Sequence, residues 1–297
     1  MAAEERRSGI RAETWRFTDR HLEVIRAGPT TSAPPVVFIH GVCHAAWCWH
    51  HFLHFFADRG YDSIAISLRG HGGSSGREQL HRLGLSDYVD DVVQVVDRLD
   101  RKPVLIGHSM GGAILQRYLA EYADTVDAAV LFASATAGGL GRSRFADVVR
   151  GNRPRALVNG IRIAVGRPVE SAVNDTPFFG NRLSHAEAEA YRTRLGPESR
   201  RAIRDLVRRF EQVPPELPPI LVIGSRSDAL FGEKSQRATA KAYRVLPVLL
   251  DAPCHDMMLD PQWRSVAGHI LQFLQANTNP ADGPRATATG VPEQHSE

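Results

Sequence analysis

A serine framed by glycines is the first group in this chain whose setting suggests chemistry. Gly107-His108-Ser109-Met110-Gly111-Gly112 follows the apolar run Val104–Ile106 and leads into an amphipathic stretch from Met110 to about Ala123. A hydroxyl carried on a sharp strand-to-helix turn stands clear of its neighbours. Gly107 and Gly111, two residues to either side, let strand and helix pass close together. The N–H groups that open the helix then face any negative charge developing at the serine. A serine hydroxyl is a weak nucleophile near neutral pH. It needs a base to take its proton, and that base needs a carboxylate to hold its tautomer and balance its charge.

Two later apolar runs end in such groups. Ile220–Ile223 leads into Gly224-Ser225-Arg226-Ser227-Asp228, and Val248–Leu250 leads into Asp251-Ala252-Pro253-Cys254-His255-Asp256. If both runs are strands of one sheet, Asp228 and His255 hang from the same edge as Ser109. His269 falls inside the last helical stretch and His295 in the polar tail, so His255 is the late histidine that fits. The run ending Ala133-Ser134-Ala135-Thr136 offers no acid. Asp251 and Asp256 read as turn or capping residues.

Near the N-terminus, Val36–Ile39 ends in His40-Gly41-Val42, and the glycine lets the backbone turn so that an N–H faces outward. His44, His50, His51 and His54 follow closely, with His50 and His54 one helical turn apart. No carboxylate or cysteine joins them at ligand spacing, apart from Cys43 and Cys48 nearby, so they read as packed or solvated histidines rather than metal ligands.

The elements that must position these groups alternate. Trp15, Phe17, Leu22 and Val24 alternate across a turn at Asp19-Arg20, as in a β-hairpin. Val36–Ile39 and Ser63–Ser67 read as buried strands, with a helix from Trp47 to Arg59 between them, stopped by Gly60. Ser86 reads as the cap of a helix carrying Val89, Val92, Val93, Val96 and Leu99 at helical spacing. Further strands are expected over Asp127–Ala133, Ile220–Ile223 and Val245–Leu250, and helices near Glu233–Tyr243 and Pro261–Ala276. Strands alternating with helices imply a mostly parallel sheet covered on both faces, an α/β fold. The alternation breaks over 138–219, which reads as several helices forming an inserted cap, with Phe145, Phe178, Phe179 and Leu206 among its apolar residues. The expected organisation is a disordered arm over 1–12, a core over 13–137 and 220–276, the cap, and a disordered tail over 277–297.

With 297 residues, 43% of them hydrophobic, the chain can bury a substantial core, and its net charge of +3 is small. No basic stripe interleaved with aromatics calls for nucleic acid. No apolar run is long enough to span a membrane, and the N-terminus lacks the apolar core of a signal peptide. The three cysteines, Cys43, Cys48 and Cys254, do not make a disulfide framework. A cytoplasmic protein acting on a small-molecule substrate is expected, with its oligomeric state open and a homo-oligomer compatible with the sequence.

Taken together, Phe38-Ile39-His40-Gly41, Arg69-Gly70-His71-Gly72-Gly73-Ser74, Gly107–Gly112, Gly224-x-x-x-Asp228 and His255 make the chain resemble the α/β-hydrolase superfamily over nearly all of its ordered length. That resemblance implies an eight-stranded sheet, no metal or organic cofactor, and a triad in the chain order Ser109, Asp228, His255. It implies an oxyanion hole from the N–H groups of Val42 and Met110. His40, too early in the chain to be the base, takes a structural role. His40–Trp49 (HGVCHAAWCW) is similar to the subgroup of plant methylesterases and hydroxynitrile lyases. Those lyases carry a lysine after the catalytic histidine, where this chain has Asp256, which disfavours cyanohydrin cleavage. Ser109 at the elbow disfavours the superfamily members with aspartate nucleophiles. Hydrolysis of a carboxylic ester through an acyl-enzyme is therefore expected. The alternatives are a thioesterase, lactonase, C–C hydrolase or cyclase using the same triad, or a ligand-binding protein that kept the fold without catalysis.

Overall fold

The structure, a computed structural model, describes residues 9–136, 178–208, 213–251 and 254–278. Eight strands form one sheet in the order β1-β2-β4-β3-β5-β6-β7-β8. They are β1 (Ile10–Arg16), β2 (His21–Ala27), β3 (Val36–Ile39), β4 (Ser63–Ile66), β5 (Val104–His108), β6 (Ala128–Phe132), β7 (Ile220–Ser225) and β8 (Val248–Leu250). The hairpin β1–β2 is antiparallel, with Trp15 opposite Leu22, and β2 pairs antiparallel with β4. Every other pairing is parallel. β3 to β6 are buried along their whole length, which is why they read as unbroken apolar runs.

Strand order fixes where the helices lie. The crossover from β3 to β4 moves one way across the sheet, and those from β4 to β5, β6, β7 and β8 move the other way. Right-handed connections therefore put helices on opposite faces. α1 (His50–Ala57) packs with α7 (Trp263–Asn277), and α2 (Leu85–Asp97) packs with α3 (Met110–Tyr122). α6 (Glu233–Ala242) lies against β7. Phe38 of β3 anchors one face, its ring 5.0 Å from Trp49 and 5.8 Å from Phe56.

Several local expectations shift. Residues 10–12 belong to β1 rather than to a loose arm, because Ile10, Arg11 and Ala12 pair with Ala27, Arg26 and Ile25. The helix expected from Trp47 begins as a 3-10 turn over Ala46–Trp49 and becomes α1 only at His50. α2 is capped at Gly84, not Ser86. The Gly84 N–H donates to Asp87 Oδ2 (2.7 Å), and the Leu85 N–H donates to Asp205 Oδ2 (3.2 Å). Asp87, three residues into the helix, thus supplies the return half of a capping box, and Asp205 takes the first N–H of the helix in place of a side chain at Gly84.

Within the expected cap, residues 178–208 carry α4 (His185–Arg192) and α5 (Arg200–Val207) and no strand. α4 starts on a capping box between Ser184 and Glu187. α5 rests on α2 and on the 3-10 turn Arg77–Arg82. The rest of that segment, Phe145 included, lies outside the described residues, as do 1–8 and the tail beyond 278. Among the described residues no helix is long and apolar enough to cross a membrane. Cys43, Cys48 and Cys254 are all buried and unpaired.

Candidate active site

Ser109 sits at the C-terminal end of β5 with φ 54° and ψ −113°, a backbone conformation that side chains rarely adopt. Its surroundings hold it there. The Ser109 N–H donates to the Phe132 carbonyl (3.1 Å), and its own carbonyl accepts from Gly112, Ala113 and Ala135 at 3.1–3.3 Å. A side chain at Gly111 would meet the carbonyls of Ile39 and His40, and one at Gly107 the backbone of Gly111. Glycine is required at both positions because backbone passes backbone. Strain of this kind persists only where the fold over-determines it, and it collects at functional sites.

His255 follows β8 and Asp228 follows β7. His255 Nδ1 donates to Asp228 Oδ2 at 2.7 Å, and both side chains are fully buried. The other oxygen, Asp228 Oδ1, accepts from the N–H groups of Leu230 (2.7 Å) and Phe231 (3.1 Å), so the carboxylate cannot turn away. Gln236 closes the turn beneath it through the carbonyl of Phe231 (2.8 Å). Burial works against an imidazolium at His255, but the charge and hydrogen bond of Asp228, aided by Asp256, hold its pKa above the ordinary histidine value. Among the described residues His255 Nε2 is buried with no hydrogen-bond partner, and it makes no hydrogen bond with the Ser109 hydroxyl. The rings of His108 and His255 lie 4.6 Å apart, which brings the residue before Ser109 against the imidazole.

The loop after β3 lies beside the elbow. A side chain at Gly41 would come within 2.9 Å of Ser109 Cβ. Neither the Val42 nor the Met110 N–H is used by the fold's own hydrogen bonds among the described residues. Both are therefore available to a ligand. His40 is buried behind them. Its Nδ1 donates to the Gly41 carbonyl (2.8 Å) and its Nε2 accepts from the Leu68 N–H (3.1 Å), which fixes it as a neutral strut. Burial drives its pKa well down.

Asp256 corrects the sequence reading. It is not a turn or capping residue but a fully buried carboxylate. Asp256 Oδ2 lies 2.9 Å from His44 Nε2, and Oδ1 lies 3.6 Å from His108 Nε2. His44 in turn donates through Nδ1 to the Val42 carbonyl (2.7 Å). His50 and His51 are packed aromatics, the latter stacked 4.8 Å over Trp263. A donor from each of His108, His255 and Asp256 falls within 4.8 Å of the others, a spacing open to a metal ion. One nitrogen of each histidine is already committed, while His255 Nε2 and His108 Nδ1 have no hydrogen-bond partner among the described residues. His255 Nδ1 is given to Asp228, and His108 Nε2 donates to the His255 carbonyl (3.3 Å).

Sequence reasoning passed over Glu198 and Tyr88, and it named Phe178 only as an apolar cap residue and His71 only within the Arg69–Ser74 string. The N–H groups of His255 and Asp256 both donate to the Phe178 carbonyl (3.1 and 3.0 Å), so this residue holds the backbone at His255. Its ring stands 5.3 Å from that of His44. Glu198 is fully buried and gathers four donors around the loop after β3. Position next to Gly41 or His255 was the available signal for His44 and Asp256; Glu198 had none.

Comparison with known proteins bears on the family and the fold. Over 121 residues the chain is 33% identical to epoxide hydrolase A of Mycobacterium tuberculosis, covering 39% of this chain and 37% of that one. Over 96 residues it is 30% identical to methyl jasmonate esterase 1 of Vitis vinifera, covering 32% and 36%. The chain thus matches little more than a third of the length of these curated relatives. An esterase structure from Exiguobacterium antarcticum superposes with a TM-score of 0.69 at 15% identity, over 89% of this chain and all of that one. Residues 36–266, from β3 into α7, match the model of the alpha/beta hydrolase family, and the chain belongs to that family.

Proposed function

We propose that the protein is a serine hydrolase that cleaves a carboxylic ester of a small, apolar substrate. The observation that carries this reading is the Asp228–His255 pair. One imidazole nitrogen is locked on a carboxylate and the other is left without a partner, at the sheet edge where Ser109 stands strained. Ser109 Oγ attacks the ester carbonyl carbon as its proton passes to His255 Nε2. The Val42 and Met110 N–H groups hold the oxyanion, and each such donor is worth about 3 kcal/mol in the transition state. Collapse breaks the bond to the leaving oxygen, which takes the proton from His255 and departs as the alcohol. Water then attacks the acyl-enzyme, giving its proton to His255. The second collapse returns that proton to Ser109 and releases the carboxylic acid.

The relative named methyl jasmonate esterase 1 supports an ester over other acyl bonds, and Ser109 at the elbow favours acyl chemistry over epoxide opening. The test is Ser109→Ala. Turnover of a short-chain nitrophenyl ester should vanish, with the fold intact by circular dichroism. Turnover that survives the substitution removes Ser109 from the mechanism.

A further inference from the structure

The peptide joining Val42 to Cys43 is gripped at both ends, and each grip leads to a buried carboxylate on a distant part of the chain. Its carbonyl accepts from His44 Nδ1 (2.7 Å), and His44 Nε2 meets Asp256 Oδ2 (2.9 Å). Both ring nitrogens of His44 thus lie against oxygen atoms, one on a backbone carbonyl and one on a buried carboxylate. The N–H of the same peptide, on Cys43, donates to Glu198 Oε2 (3.1 Å).

Glu198 is itself held. It accepts from the Ser199 N–H (2.6 Å), from His71 Nε2 (3.2 Å) and from the Tyr88 hydroxyl (3.3 Å). His71 also donates through Nδ1 to the Arg69 carbonyl (3.2 Å), so both of its nitrogens donate. The Cys43 carbonyl is taken by the Gly196 N–H at 2.8 Å.

Two features make this more than packing. Cys43 has φ 65°, a conformation that a cysteine does not adopt unaided and that the surrounding bonds must hold. A buried charged carboxylate is also costly, and two of them converge on one peptide. Burial pushes both carboxyl groups up. The histidines around Asp256, His44 first, nevertheless hold it down to about 2, and His71 with the N–H donors keeps Glu198 below its ordinary value. Both are therefore ionised at neutral pH. The residue whose free N–H neighbours this peptide is Val42.

We infer that Glu198 and Asp256 are positioning residues: by clamping the Val42–Cys43 peptide from opposite sides, they fix the direction of the Val42 N–H that stabilises the oxyanion. This rests on the serine-hydrolase reading above. One clamp comes from the loop that carries His255 and the other from the inserted segment, so the oxyanion site depends on both parts of the fold being seated. Neither carboxylate touches the reacting atoms.

The test compares Asp256→Asn, Glu198→Gln and the double variant with the unaltered protein on one nitrophenyl ester. Fluorophosphonate labelling of Ser109 and thermal melting are followed alongside. Each single variant should lose tenfold or more in kcat with KM within about threefold, since a misdirected N–H weakens the transition state and not the bound ester. The double variant should lose little more than the worse single one, because both act through one peptide. His44→Asn keeps a donor for the Val42 carbonyl but drops the contact with Asp256. It should show the same split, and it decides the matter if a carboxylate variant does not fold. A folded variant set that keeps kcat within twofold, that loses activity only through KM, or whose losses multiply independently overturns the clamp. If the unaltered protein neither turns over esters nor takes the fluorophosphonate, the underlying reading fails instead.

Discussion

Asp228→Asn isolates the orienting role of one carboxylate. Asp228 Oδ1 already accepts two backbone N–H groups, from Leu230 and Phe231. In the variant the amide oxygen must stay there, because an NH2 group facing two donors would leave all three unsatisfied. The amide nitrogen is then forced to face His255 Nδ1 across the 2.7 Å contact. Two N–H donors cannot share that contact, so His255 must move its proton to Nε2, the atom that has to receive the proton of Ser109. The imidazole stays in place in the wrong tautomer. Shape and packing are conserved, so at a pH above the His255 midpoint, where the imidazole is neutral in both proteins, the melting temperature should change little. By contrast kcat on a nitrophenyl ester should fall about 10⁴-fold, or ~5.4 kcal/mol in the barrier. The assay is steady-state turnover beside a thermal melt at the same pH. A folded variant with less than tenfold loss would show that His255 does not rely on this carboxylate.

The raised pKa of His255 predicts a pH profile. Its neutral form is the base, so kcat/KM should fall as the pH drops, with a midpoint above the ordinary histidine value of 6.5. Stability runs the other way: the His255–Asp228 pair contributes fully below the unfolded histidine pKa of about 6.5 and is lost as the pH rises through the raised folded value. A midpoint below 6 in kcat/KM would contradict this picture of the pair. Gly111→Ala should destabilise the fold by about 3 kcal/mol, because the added methyl group lands on the carbonyls of Ile39 and His40. Chemical denaturation that finds less than ~1 kcal/mol would mean that the elbow can open without strain.

The sheet was legible because each of its parallel strands is a short apolar run bounded by turn residues, and β3, β5 and β7 each lead into a group with chemical capacity. Ser109, Asp228 and His255 could be named from chain order and strand ends alone, since topology carries them to one edge. The clamp was not legible. Glu198 lies 155 residues from Cys43, in a segment whose described residues carry no strand, and nothing periodic marks a carboxylate that meets a backbone N–H so far away. Asp256 was misread for a related reason: a carboxylate beside a turn looks like a cap until His44 arrives from across the sheet. Ser86 drew attention as a helix start because hydroxyls cap helices often, whereas at Gly84 the first N–H of the helix goes to Asp205, far along the chain. The early pairing of Ile10–Ala12 was hidden by a charged, aperiodic sequence, which an edge strand tolerates.

The three thiols acquire a use from where they lie. Burial raises the pKa of Cys43, Cys48 and Cys254, so in the closed molecule none is a ready thiolate. Cys43 belongs to the gripped peptide, and Cys254 precedes His255. Alkylation of the native protein is therefore a clock, each cysteine reacting only as often as its own neighbourhood breathes. Read by mass spectrometry residue by residue, it would time the loosening of the loop after β3 separately from that of the loop after β8, without any substrate in the tube.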